Sequence, residues 1–258
     1  VNRFARLYPL HLITLIILIF LQFLLIKNFG QQQITDNSFY SGINNLKNFF
    51  YHIFFISGWF DESKITYNFP IWSVSIEILI YFLFFYLLRF LFKFKLFLSF
   101  LIFILFTYLS KSEFNFFFID CGRYFFSGVF VYFVCEKIQK SYLLVILSIL
   151  LMILSFMGNF KYNLFFSSII FLAAFLEIID KSKFKNYFSF LGNLTYSSYL
   201  LHMPLQLLII LLSGYFTIDQ SIFTTNHFFI VYLSLIFFIS HLSYKYIENP
   251  LRLLIKKI

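Results

Sequence analysis

Phe69-Pro70-Ile71-Trp72-Ser73-Val74-Ser75-Ile76-Glu77-Ile78-Leu79-Ile80-Tyr81-Phe82 carries one carboxylate, Glu77, in a run otherwise apolar enough to enter a bilayer. Pro70 suits the start of a helix, because its missing N–H is one that a helix start leaves unpaired anyway. From Ile71 to Leu88 Glu77 is the only charged residue, and a stretch of that length and polarity reads as a membrane helix. A carboxylate at such depth costs about 2.5–3.5 kcal/mol on insertion scales, so intramembrane acids usually have a function. Helical spacing gives it Ser73 at i−4 and Tyr81 at i+4 as neighbours on one face. A buried carboxylate there could act as a general base or orient a histidine. The alternative is an acid neutralised by protonation or by a basic residue on a neighbouring helix.

Outward from that stretch the whole chain has the same character. Of its 258 residues 61% are apolar and 12% charged, with a mean hydropathy of +0.86. Soluble domains carry about a quarter charged residues, so the composition indicates an integral membrane protein. Cys121 and Cys135 fall in one hydrophobic segment, roughly 21 Å apart if helical, too far for a disulfide. With no other cysteine, a cysteine metal site is excluded as well, and no metal or permanently bound cofactor is expected.

Apolar runs predict membrane helices near 10–29, 70–90, 96–110, 116–135, 142–159, 163–179, 188–214 and 227–246. Between the first two lies a polar run, 31–37, and then Leu46 to Phe60, whose apolar core is too short to cross. It reads as re-entrant or interfacial. The fold expected is therefore an all-α polytopic bundle of about eight transmembrane helices plus one such segment, forming a single domain over 1–258. With the first residues inside, fourteen Lys and Arg fall in cytoplasmic segments and five outside. Counting 46–60 as a further span would invert every later loop and destroy that bias, so both termini are expected in the cytoplasm. The net charge of +9 is thus a topology signal spread between spans, and nucleic acid is not an expected partner.

Four other polar islands stand out. Arg3 and Arg6, at i and i+3, share a helical face and could clamp a phosphate; equally, they could anchor the cytoplasmic foot of a span. Arg123 has Asp120 at i−3 as a local partner, or could serve Glu77 or a substrate anion. Gly192 to Pro204 contains Thr195, Ser197, Ser198, Tyr199 and His202 among small residues that permit close helix packing. Pro204 frees a backbone carbonyl in the turn before it. Glu248, next to Asn249-Pro250, is placed to pair with Lys245 or Arg252.

Together these pieces resemble the acyltransferase-3 family of polytopic membrane acyltransferases. Arg3-Phe-Ala-Arg6-Leu-Tyr-Pro9 resembles its Arg-x-x-Arg motif, and Trp72-Ser73-Val74-Ser75-Ile76-Glu77 its Trp-Ser-Leu-x-x-Glu signature. Arg123 to Gly128, Gly192 to Pro204 and Glu248-Asn249-Pro250 follow in the family's order. The resemblance implies ten helices in a complete member, and transfer of an acyl group, often acetyl from acetyl-CoA, to glycans of the bacterial cell envelope such as lipopolysaccharide. It implies that Arg3 and Arg6 engage the acyl-CoA donor, and that Trp72 and Glu77 belong to the catalytic or acceptor cavity. Ser73, Arg123, Tyr199, His202 and Glu248 would support the polar interior. The family's first two helices, with its catalytic-base histidine, precede the arginine motif; none of His11, His52, His202, His227 or His241 takes that place. A form lacking them is expected to be truncated, and inactive without that base. The class that competes with an enzyme is a lipid or glycan transporter, with Glu77 as its proton site.

Overall fold

In the computed structural model the described residues are 2–29, 44, 46–59, 66–111, 117–138, 141–156, 161–179 and 181–255. They form helices joined by turns, and no strand occurs among them. The order is α1 (Asn2–Phe29), α2 (Leu46–Ile53), α3 (Ile71–Lys93), α4 (Lys95–Leu109), α5 (Phe117–Lys137), α6 (Ser141–Ser155), α7 (Lys161–Ile179) and α8 (Lys181–Tyr215). A 3-10 turn (Gln220–Thr224), α9 (Asn226–Ser243), a π-helical turn (Tyr244–Glu248) and α10 (Asn249–Ile255) complete it. The polar run 31–37 lies outside the described residues.

Five helical stretches are long and apolar enough to cross a membrane: Ala5–Phe29, Ile71–Phe90, Phe117–Lys137, Ser189–Tyr215 and Asn226–Ile255. The other three predicted spans coincide with shorter apolar helices, α4, α6 and α7; fifteen residues rise only about 22 Å against a hydrocarbon core of about 30 Å. Bare aromatic and aliphatic side chains cover the outside, among them Phe82, Phe85 and Phe90 on α3 and Phe229, Ile230 and Phe238 on α9. So much exposed apolar surface is stable in lipid and aggregates in water. The chain is an all-α integral membrane bundle.

It divides into two compact units, residues 1–75 with 189–258, and residues 76–188. In the first, α1 and α8 pack in parallel register. Leu18, Leu21 and Leu25 form one cluster with Met203, Leu207 and Leu211, and Tyr196 hydroxyl donates to the Leu7 carbonyl at 2.5 Å. Parallel order requires an odd number of crossings between α1 and α8, and α2, with eight residues, adds none. The segment around α2 runs instead along α1. Asn44 Nδ2 donates to Gln22 Oε1 at 3.3 Å, whereas further on the Phe55 ring packs at a tilt against Tyr8 and His11. The expected re-entrant segment thus lies beside a membrane-spanning helix, and protein groups satisfy its irregular backbone. Gly58 N–H donates to Ser75 Oγ at 2.9 Å and Tyr67 N–H to Asn44 Oδ1 at 2.8 Å.

In the second unit α4 pairs with α5 and α6 with α7. Phe106 stacks on Phe126 at 5.5 Å and fills the space above Gly122, where an added Cβ would come within 2.2 Å of the Phe106 ring. At Gly128, one and a half turns on, a Cβ would meet nothing within 4 Å. Gly122→Val is therefore expected to destabilise the protein by about 1–3 kcal/mol through overpacking, seen as a lowered thermal midpoint in detergent. Gly128→Val serves as the matched comparison and is expected to leave the midpoint unchanged.

Candidate active site

The first turns of α1 carry Arg6. Pro9 and the apolar run after it carry the helix on, and they leave Arg6 at its foot with a half-exposed side chain. Its guanidinium donates from Nε to Glu248 Oε1 at 3.2 Å and from Nη2 to the Gly192 carbonyl at 3.2 Å. Glu248 is 1% exposed, and its other oxygen accepts from Ser197 Oγ at 2.6 Å. This corrects the local pairing expected for Glu248: Arg252 donates to Asn249 Oδ1 at 2.7 Å instead. The cause is the π-helical turn Tyr244–Glu248. Its wider winding shifts the face that a side chain occupies, and here Glu248 ends up against α1 and α8. The side chain of Arg3 lies outside the described residues.

At the start of α3, Ser73 Oγ donates to the Pro70 carbonyl at 3.0 Å and meets Tyr199 hydroxyl at 2.6 Å. Tyr199 also bonds that carbonyl, at 3.0 Å. Trp72 is half-buried, and its carbonyl accepts from Ser75 Oγ at 2.7 Å. Pro204 acts as its chemistry dictates: lacking an N–H, it leaves the Leu200 carbonyl without a helical donor, and Asn68 Nδ2 supplies one at 3.4 Å. His202 sits half-buried beside Tyr199, while its carbonyl accepts from Tyr232 hydroxyl at 3.0 Å. Arg6, Ser73, Tyr199, His202 and Glu248 thus all belong to the first unit.

Glu77 and Arg123 belong to the second unit. The i+4 neighbour anticipated for Glu77 is present, since Tyr81 hydroxyl donates to its carboxylate. Its burial is not: Glu77 is exposed, because α3 turns Ile71, Val74, Ile76 and Ile80 inward and leaves position 77 on the outer flank. Arg123 takes the local option. It pairs with Asp120 at 3.3 Å and donates to Ser110 Oγ at 3.1 Å and Tyr124 hydroxyl at 3.3 Å. Among the described residues no group of three or more His, Cys, Asp or Glu is placed to hold a metal ion.

Sequence reasoning gave no role to the most buried polar cluster of the first unit. His11, Thr14 and Asn68 are 0% exposed and His52 1%. His11 Nε2 donates to the His52 carbonyl at 2.8 Å, His52 Nε2 meets Thr66 Oγ1 at 3.0 Å, and Asn68 Nδ2 donates to Thr14 Oγ1 at 3.2 Å. Forty-one residues separate the two histidines, so no local spacing announces the pairing.

These contacts join four of the stretches that carry the family resemblance, from Arg6, Ser73, Gly192–Tyr199 and Glu248. A family model described as an acyltransferase domain, that of the acyltransferase-3 family, matches residues 1–245. No curated protein and no solved structure matches the chain. With nearly its whole length matched, the chain belongs to the acyltransferase-3 family of membrane acyltransferases.

Proposed function

We propose that the chain is the membrane core of an O-acyltransferase that moves an acyl group, acetyl in the first instance, from acyl-CoA to a hydroxyl of a cell-surface glycan. Its place is the bacterial plasma membrane, with both termini of the chain in the cytoplasm. The observation that carries the reading is the hold on Arg6. Glu248 and Gly192 engage its Nε and one N–H of Nη2. Among the described residues Nη1 has no partner, so a planar edge of donors is left for an anion. A guanidinium matches phosphate in two-point fashion, which a lysine ammonium cannot do, and the donor's phosphates supply such a partner on the cytoplasmic side. The family resemblance assigns Arg3 to the same donor.

In the transfer the acceptor oxygen forms its bond to the acyl carbon, the acyl carbon–sulfur bond breaks, and CoA leaves as the thiolate. The hydroxyl proton passes to a base. Trp72 serves the acceptor side, with Ser73, Tyr199 and His202 fixing the start of α3; the role given to Glu77, further along α3, is to orient that base. Arg123, tied to Asp120, holds the neighbouring helix.

In membranes of cells that make the intact protein, Glu77→Gln is expected to reduce acylation of the surface glycan to background while the amount of protein persists; unchanged acylation removes Glu77 from the reaction. Arg6→Lys keeps a cation beside Glu248, whereas removal of the charge would strand a buried carboxylate at a cost of about 3–5 kcal/mol. With labelled acetyl-CoA, Arg6→Lys should raise the donor KM by about tenfold, the loss of one good contact of about 1.4 kcal/mol. A transporter would show no labelled glycan at all.

A further inference from the structure

We propose that Ser197 is a positioning residue: it occupies one oxygen of Glu248 and so prevents Arg6 from closing a two-point fork on that carboxylate. The consequence for donor binding rests on the acyl-transfer reading; the effect on Arg6 itself does not. The first observation is where the Ser197 hydroxyl goes. A serine inside a helix commonly returns its hydroxyl to a carbonyl three or four residues back, and Ser99, Ser127, Ser198 and Ser213 all do so. Ser197 donates instead to Glu248 Oε2 at 2.6 Å, across 51 positions. Ser197 is 0% exposed and Glu248 1%, so this bond is shut away from the surface.

The second observation is the form of the ion pair. Arg6 Nε meets Glu248 Oε1 at 3.2 Å, while Nη2 turns to the Gly192 carbonyl at 3.2 Å. Arginine and carboxylate frequently pair through two parallel N–H···O bonds; this pair uses one. The oxygen that a second bond requires is the one Ser197 holds. The root of the arginine is fixed separately, because Tyr196 hydroxyl donates to the carbonyl of Leu7, the next residue of α1. Two consecutive residues of α8 thus hold the backbone beside Arg6 and the carboxylate in front of it. What is left to set is the turn of the guanidinium plane, and Ser197 sets it.

Taking the hydroxyl away changes the pairing in a defined way. A buried carboxylate oxygen without a hydrogen bond is costly, and Nη2 of the same guanidinium is a donor that can answer it. The closed fork brings guanidinium and carboxylate into one plane. It draws Nη2 off Gly192 and re-aims the remaining edge, the one offered to the phosphates of the donor. Arg6 stays charged and paired but points elsewhere. A lysine at position 6 has one nitrogen and no fork to close, so the effect of Ser197 depends on the arginine.

Two measurements test this on the full chain in detergent. In a structure of the Ser197→Ala variant, Arg6 Nη2 is expected within about 3.2 Å of Glu248 Oε2 and away from Gly192. A guanidinium that stays on Gly192, with a water or nothing in place of the hydroxyl, overturns the proposal whether or not the protein transfers acyl groups. In titrations with acetyl-CoA, Ser197→Ala is expected to raise Kd by about tenfold, the scale of one good contact. Ser198→Ala, whose hydroxyl bonds its own helix, should leave Kd unchanged. In an Arg6→Lys background, Ser197→Ala is expected to add no more than about twofold; a further tenfold loss there would make Ser197 a packing element and overturn its positioning role. Should Arg6→Lys alone leave Kd unchanged, the donor reading falls and the donor half of the proposal with it. Should Arg6→Lys weaken binding while Ser197→Ala does not, the donor reading stands and the role of Ser197 falls.

Discussion

Hydrocarbon offers no hydrogen bonds, so every polar group that departs from regular helix inside a bilayer must find its partner in the protein. The first unit is organised around that requirement. The described residues that follow α2, up to Pro70, leave helical geometry beside α1, and side chains answer the loose groups there: Ser75 for Gly58, Asn44 for Tyr67, His11 for the carbonyl of His52. The same rule applies to α8, where Pro204 opens a carbonyl and Asn68 closes it. The irregular segment is thus tied to two long helices, and it hands α3 its starting position.

The buried carboxylate of Glu248 obeys a stricter form of the rule. A charge so deeply placed is tolerated only when paired and further hydrogen-bonded, and both conditions are met by Arg6 and Ser197. This ion pair is not evidence of great stability, because desolvation offsets most of its Coulomb attraction. Its value lies in direction: it holds the guanidinium of a flexible side chain in one orientation at the foot of α1.

Much of this was legible before any coordinates. Runs of apolar residues marked the helices to within a few positions, because in a membrane length and hydropathy are nearly the whole signal. Charge bias kept residues 46–60 from being read as a crossing, and the helix there, α2, is only eight residues long. Neighbours at helical spacing were also readable, as with Tyr81 for Glu77 and Asp120 for Arg123. What failed was contact at long range. Glu248 looked to Lys245 and Arg252 because a π-helical turn cannot be foreseen from periodicity. Glu77 looked buried because polarity alone does not say which flank of α3 faces inward. His11 and His52 looked like isolated histidines because their meeting depends on how the intervening segment folds back.

The two units also differ in how their sequence is laid out. Residues 76–188 are contiguous, and α4–α5 and α6–α7 are hairpins between neighbours in sequence, which form early and with little loop entropy. The first unit is split: Arg6 meets Glu248 across 242 positions, and Leu7 meets Tyr196 across 189. During synthesis α1 must therefore wait in the bilayer, with Arg6 lacking its final partners, until α8 and then the last helices arrive. The half of the molecule that carries the motif residues in contact is the half that assembles last.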